Sequence, residues 1–295
     1  MFSDLLKPEI QSFILQHESD DLSKLILKTS DVHGVPMSKI AAQIDGRKKA
    51  KEKLPVYYKT NGIVYPAAVN IEQSSSEITA KFKSNILEKL SSRSVCVDLT
   101  GGFGVDSFFL SRVFDAVNYI EPDRQLLEIA KHNHLQLGAT NIIHHNVSAS
   151  EYLTGAYTEV GCIYLDPSRR DSHNRKVSSL ASSEPNVLEL LPSIFQRARH
   201  VLLKTSPLLD ITEALNQLEK VSHVFIVSVA NECKELLFLL DSTFTSEPVI
   251  EAINISKETI SSFRFTFSEE KRHQISFSDP QEFIYEPNAS ILKAG

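Results

Sequence analysis

The sequence predicts an α/β fold with a mostly parallel β-sheet, closed by an antiparallel hairpin and preceded by a small helical region. From residue 95 onward, apolar runs of strand length alternate with helical patterns. Two later apolar runs, 224–229 and 236–240, are joined by only about six residues. So short a join excludes a helical crossover and predicts antiparallel neighbours. Residues 2 to about 53 carry apolar side chains at helical spacing, which predicts the helical region.

Residues 1–90 are expected to form a mainly helical N-terminal domain with one small hairpin. The tyrosine-containing segments 55–58 and 63–65 flank Thr60-Asn61-Gly62, and this pattern predicts the hairpin. Ser74 to Glu77 match a capping box and predict the start of a helix.

Residues 91–245 are expected to form the central domain, and 246–295 a β-rich extension that leads to a further domain. Strands are predicted at 95–99, about 116–121, about 141–145, 162–166 and 200–204, with a helix from Asp123 to Gly138. Two β-like pieces follow, at 250–255 and 263–267. This alternation differs from that of a symmetric six-stranded dinucleotide-binding domain.

A glycine loop after the first of these strands carries the strongest functional signal. The strand ends at Asp98, the loop holds Gly101, Gly102 and Gly104, and a helical pattern follows. Such a unit brings backbone N–H groups against a nucleotide-like ligand. Glu121 closes the next strand 23 residues after Asp98, a spacing that suits a carboxylate binding ribose hydroxyls. The chain is therefore predicted to bind an adenosine-containing cofactor.

The loop also restricts which cofactor it can bind. A dinucleotide fingerprint would need a third glycine where Ser107 stands, and Asp98, ahead of the glycines, would repel a pyrophosphate. A cofactor without phosphates is therefore favoured. The alternative, that the glycines only let strand and helix pack closely, stays open at this point.

A second acid, Asp166, ends another apolar strand and is followed by Pro167. Asp-Pro also forms turns and helix caps, so the dipeptide is ambiguous by itself. Its place, 68 residues after Asp98 with two strand-like runs between, favours a site residue. Arg169 and Arg170 follow and begin a basic cluster with Arg175 and Lys176.

Charge and composition restrict the function classes. The net charge of −6 argues against a uniformly basic nucleic-acid surface, but residues 46–53 hold five cations and one acid, a local +4. This patch is either a phosphate-binding surface or a solvated helix face. Three distant cysteines indicate a reducing, cytoplasmic compartment. Met1 to Asp4 lack the basic-then-apolar layout of a secretion signal, so none is expected, and no apolar run reaches the roughly 20 residues of a membrane span.

Neighbouring histidines do not indicate a metal site. His132 and His134 are two apart on a helix, and His144 and His145 point to opposite faces of a strand. No metal is predicted.

Six motifs together resemble a known family. They are Gln73-Ser-Ser-Ser-Glu77, Asp98-Leu-Thr-Gly-Gly-Phe-Gly104, Tyr164-Leu-Asp-Pro-Ser-Arg-Arg170, Lys204-Thr-Ser-Pro207, Asn231-Glu-Cys-Lys-Glu235 and Tyr285-Glu-Pro-Asn288. The sequence resembles bacterial, mainly Bacteroidetes-type, class I S-adenosylmethionine (SAM)-dependent methyltransferases with a THUMP-like domain, from about residue 35 to the end. The resemblance implies a Rossmann-like methyltransferase sheet, SAM as cofactor, an RNA substrate (tRNA or rRNA) and a C-terminally truncated chain. The Asp-Pro-Ser-Arg-Arg motif is also similar to that of guanine-N2 cap methyltransferases.

The resemblance and the residue patterns together give each site residue an expected role. Catalysis is assigned to Asp166 and Pro167, which would position an acceptor amine. SAM binding is assigned to Asp98, Thr100, Gly101, Gly102, Gly104, Glu121 and Ser148, with Asn146 as an alternative to Ser148. Substrate binding is assigned to Arg169, Arg170, Lys204 and Asn231, of which Lys204 and Asn231 could equally be simple strand caps. Three alternatives stay open: a small-molecule or protein methyltransferase, a non-catalytic SAM-binding module and, more distantly, a nicotinamide dehydrogenase.

Overall fold

The computed structural model describes residues 2–155, 159–168, 180–256, 259–274, 279, 282–283 and 285–295. The chain divides into two compact units, Met1–Tyr152 and Leu153–Gly295. Both units combine helices with strands, and the predicted α/β fold class is confirmed. The finer division at residues 90 and 245 stays a prediction. Arg169, Arg170, Arg175 and Lys176 lie outside the described residues.

Unit 1 holds a helical region followed by three parallel strands. A 3-10 turn at Ser3–Leu6 precedes α1 (Pro8–Gln16), α2 (Leu22–Lys28), β1 (Asp31–Val32), β2 (Val35–Pro36), α3 (Met37–Lys53), α4 (Pro55–Lys59), α5 (Ala68–Gln73), α6 (Glu77–Leu87), β3 (Val95–Asp98), α7 (Val105–Leu110), β4 (Ala116–Ile120), α8 (Arg124–Gln136) and β5 (Ile142–His145). The helix α9 (Ala149–Thr154) follows. Strands β3, β4 and β5 pair in that order, all parallel.

The parallel pairing decides where two predicted site residues lie. Asp98, the last residue of β3, pairs in register with Tyr119 of β4, and Glu121 follows the end of β4. Because the carboxyl ends of parallel strands share one edge of a sheet, both acids lie at that edge.

The predicted hairpin at 55–65 is wrong. Pro55 begins the helix α4, where its missing N–H costs nothing. Segment 63–65 does not pair with another described strand, because side-chain amides form hydrogen bonds with its backbone N–H and carbonyl groups. Val64 exchanges two hydrogen bonds with Asn133, both of 2.8–2.9 Å, and Tyr65 exchanges two of 2.8 Å with Gln43. The hairpin of this region is instead β1–β2, turning at His33 and Gly34, which both have positive φ.

The helix predicted after the serine-rich segment is present as α6, but its cap differs from the predicted capping box. Ser76 is the N-cap and accepts a 3.2 Å hydrogen bond from the Thr79 N–H. Glu77 is the first helical residue, so its carboxylate lies too early to return to the cap. It accepts the Val56 N–H at 2.7 Å and pairs with Lys81.

The described residues of unit 2 form six strands and several short helices. Its elements are β6 (Val160–Leu165), a 3-10 turn at Leu180–Ser182, α10 (Val187–Phe195), β7 (Ala198–Thr205), α11 (Ile211–Gln217), β8 (Val221–Val229), β9 (Glu232–Asp241), β10 (Val249–Ile255), β11 (Ile260–Phe265), α12 (Phe267–Arg272) and α13 (Ala289–Ala294). The strand order is β11-β10-β8-β9-β7-β6. The predicted antiparallel hairpin is confirmed as β8–β9.

Parallel pairing of β6 with β7 sets the site edge of unit 2. Leu165 pairs in register with Leu203, so the next residues, Asp166 and Lys204, are cross-strand neighbours. Strand β6 is buried along its whole length, as a strand covered on both faces must be. None of the described helices combines the length and apolar character that a membrane span requires.

Candidate functional site

Asp98 connects the two ends of the glycine loop. Its side chain is almost completely buried. One carboxylate oxygen, Oδ1, accepts the Thr100 N–H at 3.0 Å, and Oδ2 accepts the Ser107 hydroxyl at 2.6 Å. Thr100 opens the loop and Ser107 lies in the first turn of α7, so this carboxylate fixes the loop at both ends.

Glu121 holds the middle of the same loop. Its Oε2 accepts the Gly102 N–H at 2.9 Å, and its Oε1 accepts the Asp123 N–H at 2.8 Å. Burial raises the pKa of this carboxyl group, and the two N–H donors oppose that rise only in part. Asp98 and Glu121 thus place two carboxylates at adjacent strand ends, both bonded to one loop.

The three loop positions require glycine for two physical reasons, which are close packing and a left-handed backbone. A Cβ on Gly101 would lie 2.3 Å from the Tyr119 ring, and one on Gly104 would lie 2.5 Å from Nε2 of His134. Packing therefore requires glycine at both positions, and Gly104 also has a left-handed backbone, with φ +81°. Gly102 has φ +54°, and a Cβ there would meet only the Thr100 carbonyl oxygen, at 3.7 Å. Its own backbone conformation, and not a neighbouring ring, accounts for this glycine.

The first turn of α7 is held by a buried polar cluster. Lys83, almost completely buried, places Nζ 3.2 Å from Oδ1 of Asp106 and 3.0 Å from the Ser75 hydroxyl. The Ser75 hydroxyl in turn donates to Oδ2 of Asp106 at 2.7 Å. This cluster ties the serine-rich segment before α6 to the helix that follows the glycine loop.

In unit 2, Asp166 and Lys204 come together. Nζ of Lys204 lies 2.5 Å from Oδ2 of Asp166. The lysine side chain is 6% exposed and the carboxylate 28%, so the carboxylate is the partner that reaches the surface. Pro167 is buried, and the backbone of Ser168 is bridged to Glu184 by a 2.7 Å hydrogen bond.

Asn231, the other predicted strand-end residue, lies elsewhere on the edge. It forms the β8–β9 turn with φ +61°, and its Oδ1 accepts the Ala289 N–H at 2.8 Å. Asn231 immediately precedes β9, and β7 separates β9 from β6, so Asn231 is at least roughly 10 Å from the strand of Asp166, at about 4.8 Å per strand spacing. The structure brings Lys204 to Asp166, but not Asn231.

Ser148 and Asn146, the predicted adenine contacts, are engaged within their own chain. The Ser148 hydroxyl donates to Glu151 at 2.7 Å, and its N–H reaches the same carboxylate at the start of α9. Asn146 donates to the carbonyls of Glu121 and Pro122, both at 2.9 Å. Asn146 therefore supports the strand end that carries Glu121.

The basic patch of residues 46–53 braces the helical region. Arg47 pairs with Glu18 at 2.9 Å, Lys48 donates to the Asp20 carbonyl, Lys49 pairs with Glu72, and Lys53 donates to the carbonyls of Ile71 and Glu72. These contacts favour a structural role over phosphate binding for most of the patch.

Three ring residues beside the glycine loop, Tyr119, His134 and His144, were not among the predicted site residues. Nδ1 of His134 on α8 lies 2.9 Å from Nε2 of His144 on β5. Burial lowers the pKa of His134 to about 3 and that of His144 to about 4. Tyr119 is fully buried and pairs in register with His144. The predicted parallel pairing of β4 with β5 could have placed Tyr119 beside His144 from the sequence alone. Among the described residues, no group of three or more His, Cys, Asp or Glu side chains is arranged to hold a metal ion.

The whole chain resembles one solved structure closely. The crystal structure of a "putative methyltransferase" from Porphyromonas gingivalis W83 aligns with 99% of this chain and 72% of its own, with 27% identity and a TM-score of 0.83. An rRNA methylase from Streptococcus thermophilus aligns with 54% of this chain and 93% of its own (16% identity, TM-score 0.41). A "putative methyltransferase" from Streptococcus mutans, solved with S-adenosylhomocysteine (SAH), aligns with 55% of this chain and 96% of its own (14% identity, TM-score 0.41). No protein-family model and no curated protein matches the sequence. On the first of these alignments, the chain has a methyltransferase-like fold.

Proposed function

We propose that this protein is a SAM-dependent methyltransferase that methylates a nitrogen atom on a base of RNA. The observation that carries the proposal is the pair of buried carboxylates, Asp98 and Glu121, at adjacent strand ends and bonded to one glycine loop. The likeness of the whole chain to the P. gingivalis protein supports the enzyme class.

The residues of unit 1 fit SAM. The Glu121 carboxylate already accepts an N–H at the loop, and a ribose diol offers it donors of the same kind. Gly102 has no side chain to keep a ligand from the loop backbone. A buried acid at Asp98 suits a cofactor that carries an ammonium group and no phosphate. When bound, SAM supplies an electrophilic methyl group on its sulfonium.

Asp166 is the proposed catalytic residue. The lone pair of an exocyclic amine is delocalised into the base, so this nitrogen is a poor nucleophile. A carboxylate that accepts hydrogen bonds from the amine favours a pyramidal nitrogen and stabilises the positive charge that develops there. Lys204 fixes Oδ2 of Asp166 and so limits rotation of the carboxylate. The carbonyl groups around Pro167 would accept the second amine hydrogen.

RNA is the proposed substrate because of the motif that follows Asp166. Arg169 and Arg170 carry the donors that bind phosphates or stack on bases. The contacts of the patch at 46–53 favour a structural role for most of it, so RNA binding is assigned to the arginine cluster.

The first experiment measures transfer of tritiated methyl from SAM to separated RNA, DNA, protein and small-molecule fractions. We compare wild type, Asp166→Ala and, as a matched control, Glu219→Ala, which removes an exposed carboxylate from unit 2. Label should enter RNA with wild type and control, and fall at least about 100-fold with Asp166→Ala, the size expected for a lost transition-state contact.

Other outcomes separate the alternatives. Label in protein or small molecules would overturn the RNA assignment but keep the enzyme class. SAH binding without transfer to any fraction would favour a non-catalytic module. If wild type shows no SAH binding and no methyl transfer, the proposal as a whole is overturned.

A further inference from the structure

Tyr119 and His134 each hydrogen-bond a carbonyl of the glycine loop, and His144 bonds His134 from behind. The Tyr119 hydroxyl donates to the Gly102 carbonyl at 2.5 Å. Nε2 of His134 lies 2.8 Å from the Gly104 carbonyl, and its Nδ1 lies 2.9 Å from Nε2 of His144. The roles proposed for Asp98 and Glu121 make no use of these three residues.

The partners fix the protons of the two histidine rings. A carbonyl oxygen only accepts, so Nε2 of His134 carries a hydrogen, and Nδ1 of the neutral ring is then an acceptor. In this tautomer, Nε2 of His144 donates to it, although the His144 ring also has a hydrogen bond with the Ile142 backbone. The hydrogen bonds run in one direction, from His144 to His134 to the Gly104 carbonyl.

The same rings also press against the loop. The contacts that exclude a Cβ at Gly101 and Gly104 come from Tyr119 and His134 themselves. Each ring thus fills the space behind a glycine and bonds a loop carbonyl. The carbonyl and N–H of a trans peptide point in opposite directions. Holding the Gly102 and Gly104 carbonyls toward the rings therefore turns the N–H groups of Phe103 and Val105 away from them.

We propose that Tyr119 and His134, with His144 behind His134, are positioning residues for the cofactor. They set the direction of the loop peptides, so that the loop presents N–H groups and not carbonyl oxygens to the bound molecule. This inference rests on the proposed function, because it takes the loop to be the SAM site.

The test is SAH affinity by isothermal titration calorimetry, with thermal unfolding of each variant. Tyr119→Phe keeps the ring and removes only the donor, and should weaken binding about fivefold, the size of one ordinary hydrogen bond. His134→Leu should weaken it roughly tenfold or more, since its donor to the loop and its contact with His144 are both lost. His134→Gln keeps an N–H donor at similar reach and should stay within about threefold of wild type, given that the bond is retained.

The matched control is His132→Leu. His132 lies on the same helix and bonds the Gly62 carbonyl at 2.8 Å, away from the glycine loop. It should lower the unfolding temperature and leave SAH affinity unchanged. If His132→Leu weakens SAH as much as His134→Leu, the rings only stabilise the fold and the inference fails.

The remaining outcomes are equally decisive. If wild type binds SAH while Tyr119→Phe and His134→Leu bind it equally well, the inference fails and the proposed function stands. If folded wild type does not bind SAH, the proposed function fails and takes the inference with it. Should His134→Leu not fold, Tyr119→Phe carries the test, because its ring still fills the space behind Gly101.

Discussion

Lys204 and Asp166 are cross-strand neighbours whose charged groups meet at 2.5 Å at the carboxyl edge of β6 and β7. The lysine is the more deeply buried partner, so the pair places a fixed cation behind a carboxylate that reaches the surface. In the proposed reaction, this arrangement would orient the carboxylate as a hydrogen-bond acceptor toward the substrate. It makes Lys204 a positioning residue in the proposed reaction.

Replacement of Lys204 should therefore affect turnover more than binding. Lys204→Met should lower kcat for methyl transfer about 10- to 100-fold, because Asp166 loses its orientation. SAH affinity should change less than about threefold, since no cofactor contact is removed. Steady-state kinetics and calorimetry measure the two effects. A variant with unchanged kcat would show that the ion pair serves stability alone.

Glu121 should make cofactor affinity depend on pH. Burial raises its pKa above 4.5, so on acidification it loses its negative charge earlier than an ordinary glutamate does. The protonated form is a weaker acceptor for a ribose diol, so SAH affinity should fall as pH decreases toward this raised pKa.

Glu121→Gln is the comparison for that measurement. It should bind SAH about tenfold more weakly at neutral pH, as expected for a lost charged hydrogen bond, and show a flatter pH profile. Asp115→Asn, which alters an exposed carboxylate of unit 1, is the control. A wild-type profile as flat as that of Glu121→Gln would contradict the role of Glu121.

His134 should make the fold sensitive to acid. Its pKa is about 3 in the folded protein and 6.5 ordinarily, so the unfolded chain binds the proton more readily. Stability is then fully present above pH 6.5 and is lost as pH falls below it, by about 1.4 kcal/mol per pH unit for one histidine. The pKa of the neighbouring His144 is also lowered, by burial and by Lys131 and His145, so its protonation should also destabilise the folded state as pH falls.

Urea unfolding at pH 7.5 and pH 5.5 measures this loss. Between these values, wild type should lose roughly 1 kcal/mol more than His134→Gln, because pH 5.5 lies one unit below the ordinary pKa. An equal loss in both proteins would show that His134 titrates normally in the folded state.

The loop glycines should respond differently to alanine. Gly101→Ala should destabilise the fold by at least about 2 kcal/mol, since its Cβ would overlap the Tyr119 ring. Gly102→Ala should cost only about 1 kcal/mol for its left-handed backbone. Its effect should appear as weaker SAH binding. Chemical denaturation and calorimetry on both variants separate the two. Equal losses of stability would remove the distinction.

The sequence was most informative where a local pattern and the sheet rules agree. Strand ends at Asp98 and Glu121 imply a shared edge, and the structure has both acids at one edge, bonded to the same loop. The hairpin β8–β9 followed from the length of its connection alone.

The wrong and missing predictions have a common cause, because contacts between residues far apart in sequence replace the local contacts that a sequence pattern predicts. Segment 63–65 has the composition of a strand, but Asn133, 69 residues from Val64, supplies the hydrogen bonds that a partner strand would give. The contact of His134 with His144 likewise depends on how α8 packs against β5. No local pattern encodes either contact.

The fit of Tyr119 against Gly101 has a consequence for sequence divergence. Since the ring occupies the place where a Cβ of residue 101 would stand, the two positions share one volume. A homologue with a larger residue at 101 should carry a smaller one at 119, and it would then lose the hydroxyl that bonds the Gly102 carbonyl. These two sites are therefore expected to covary, although 18 residues separate them along the chain.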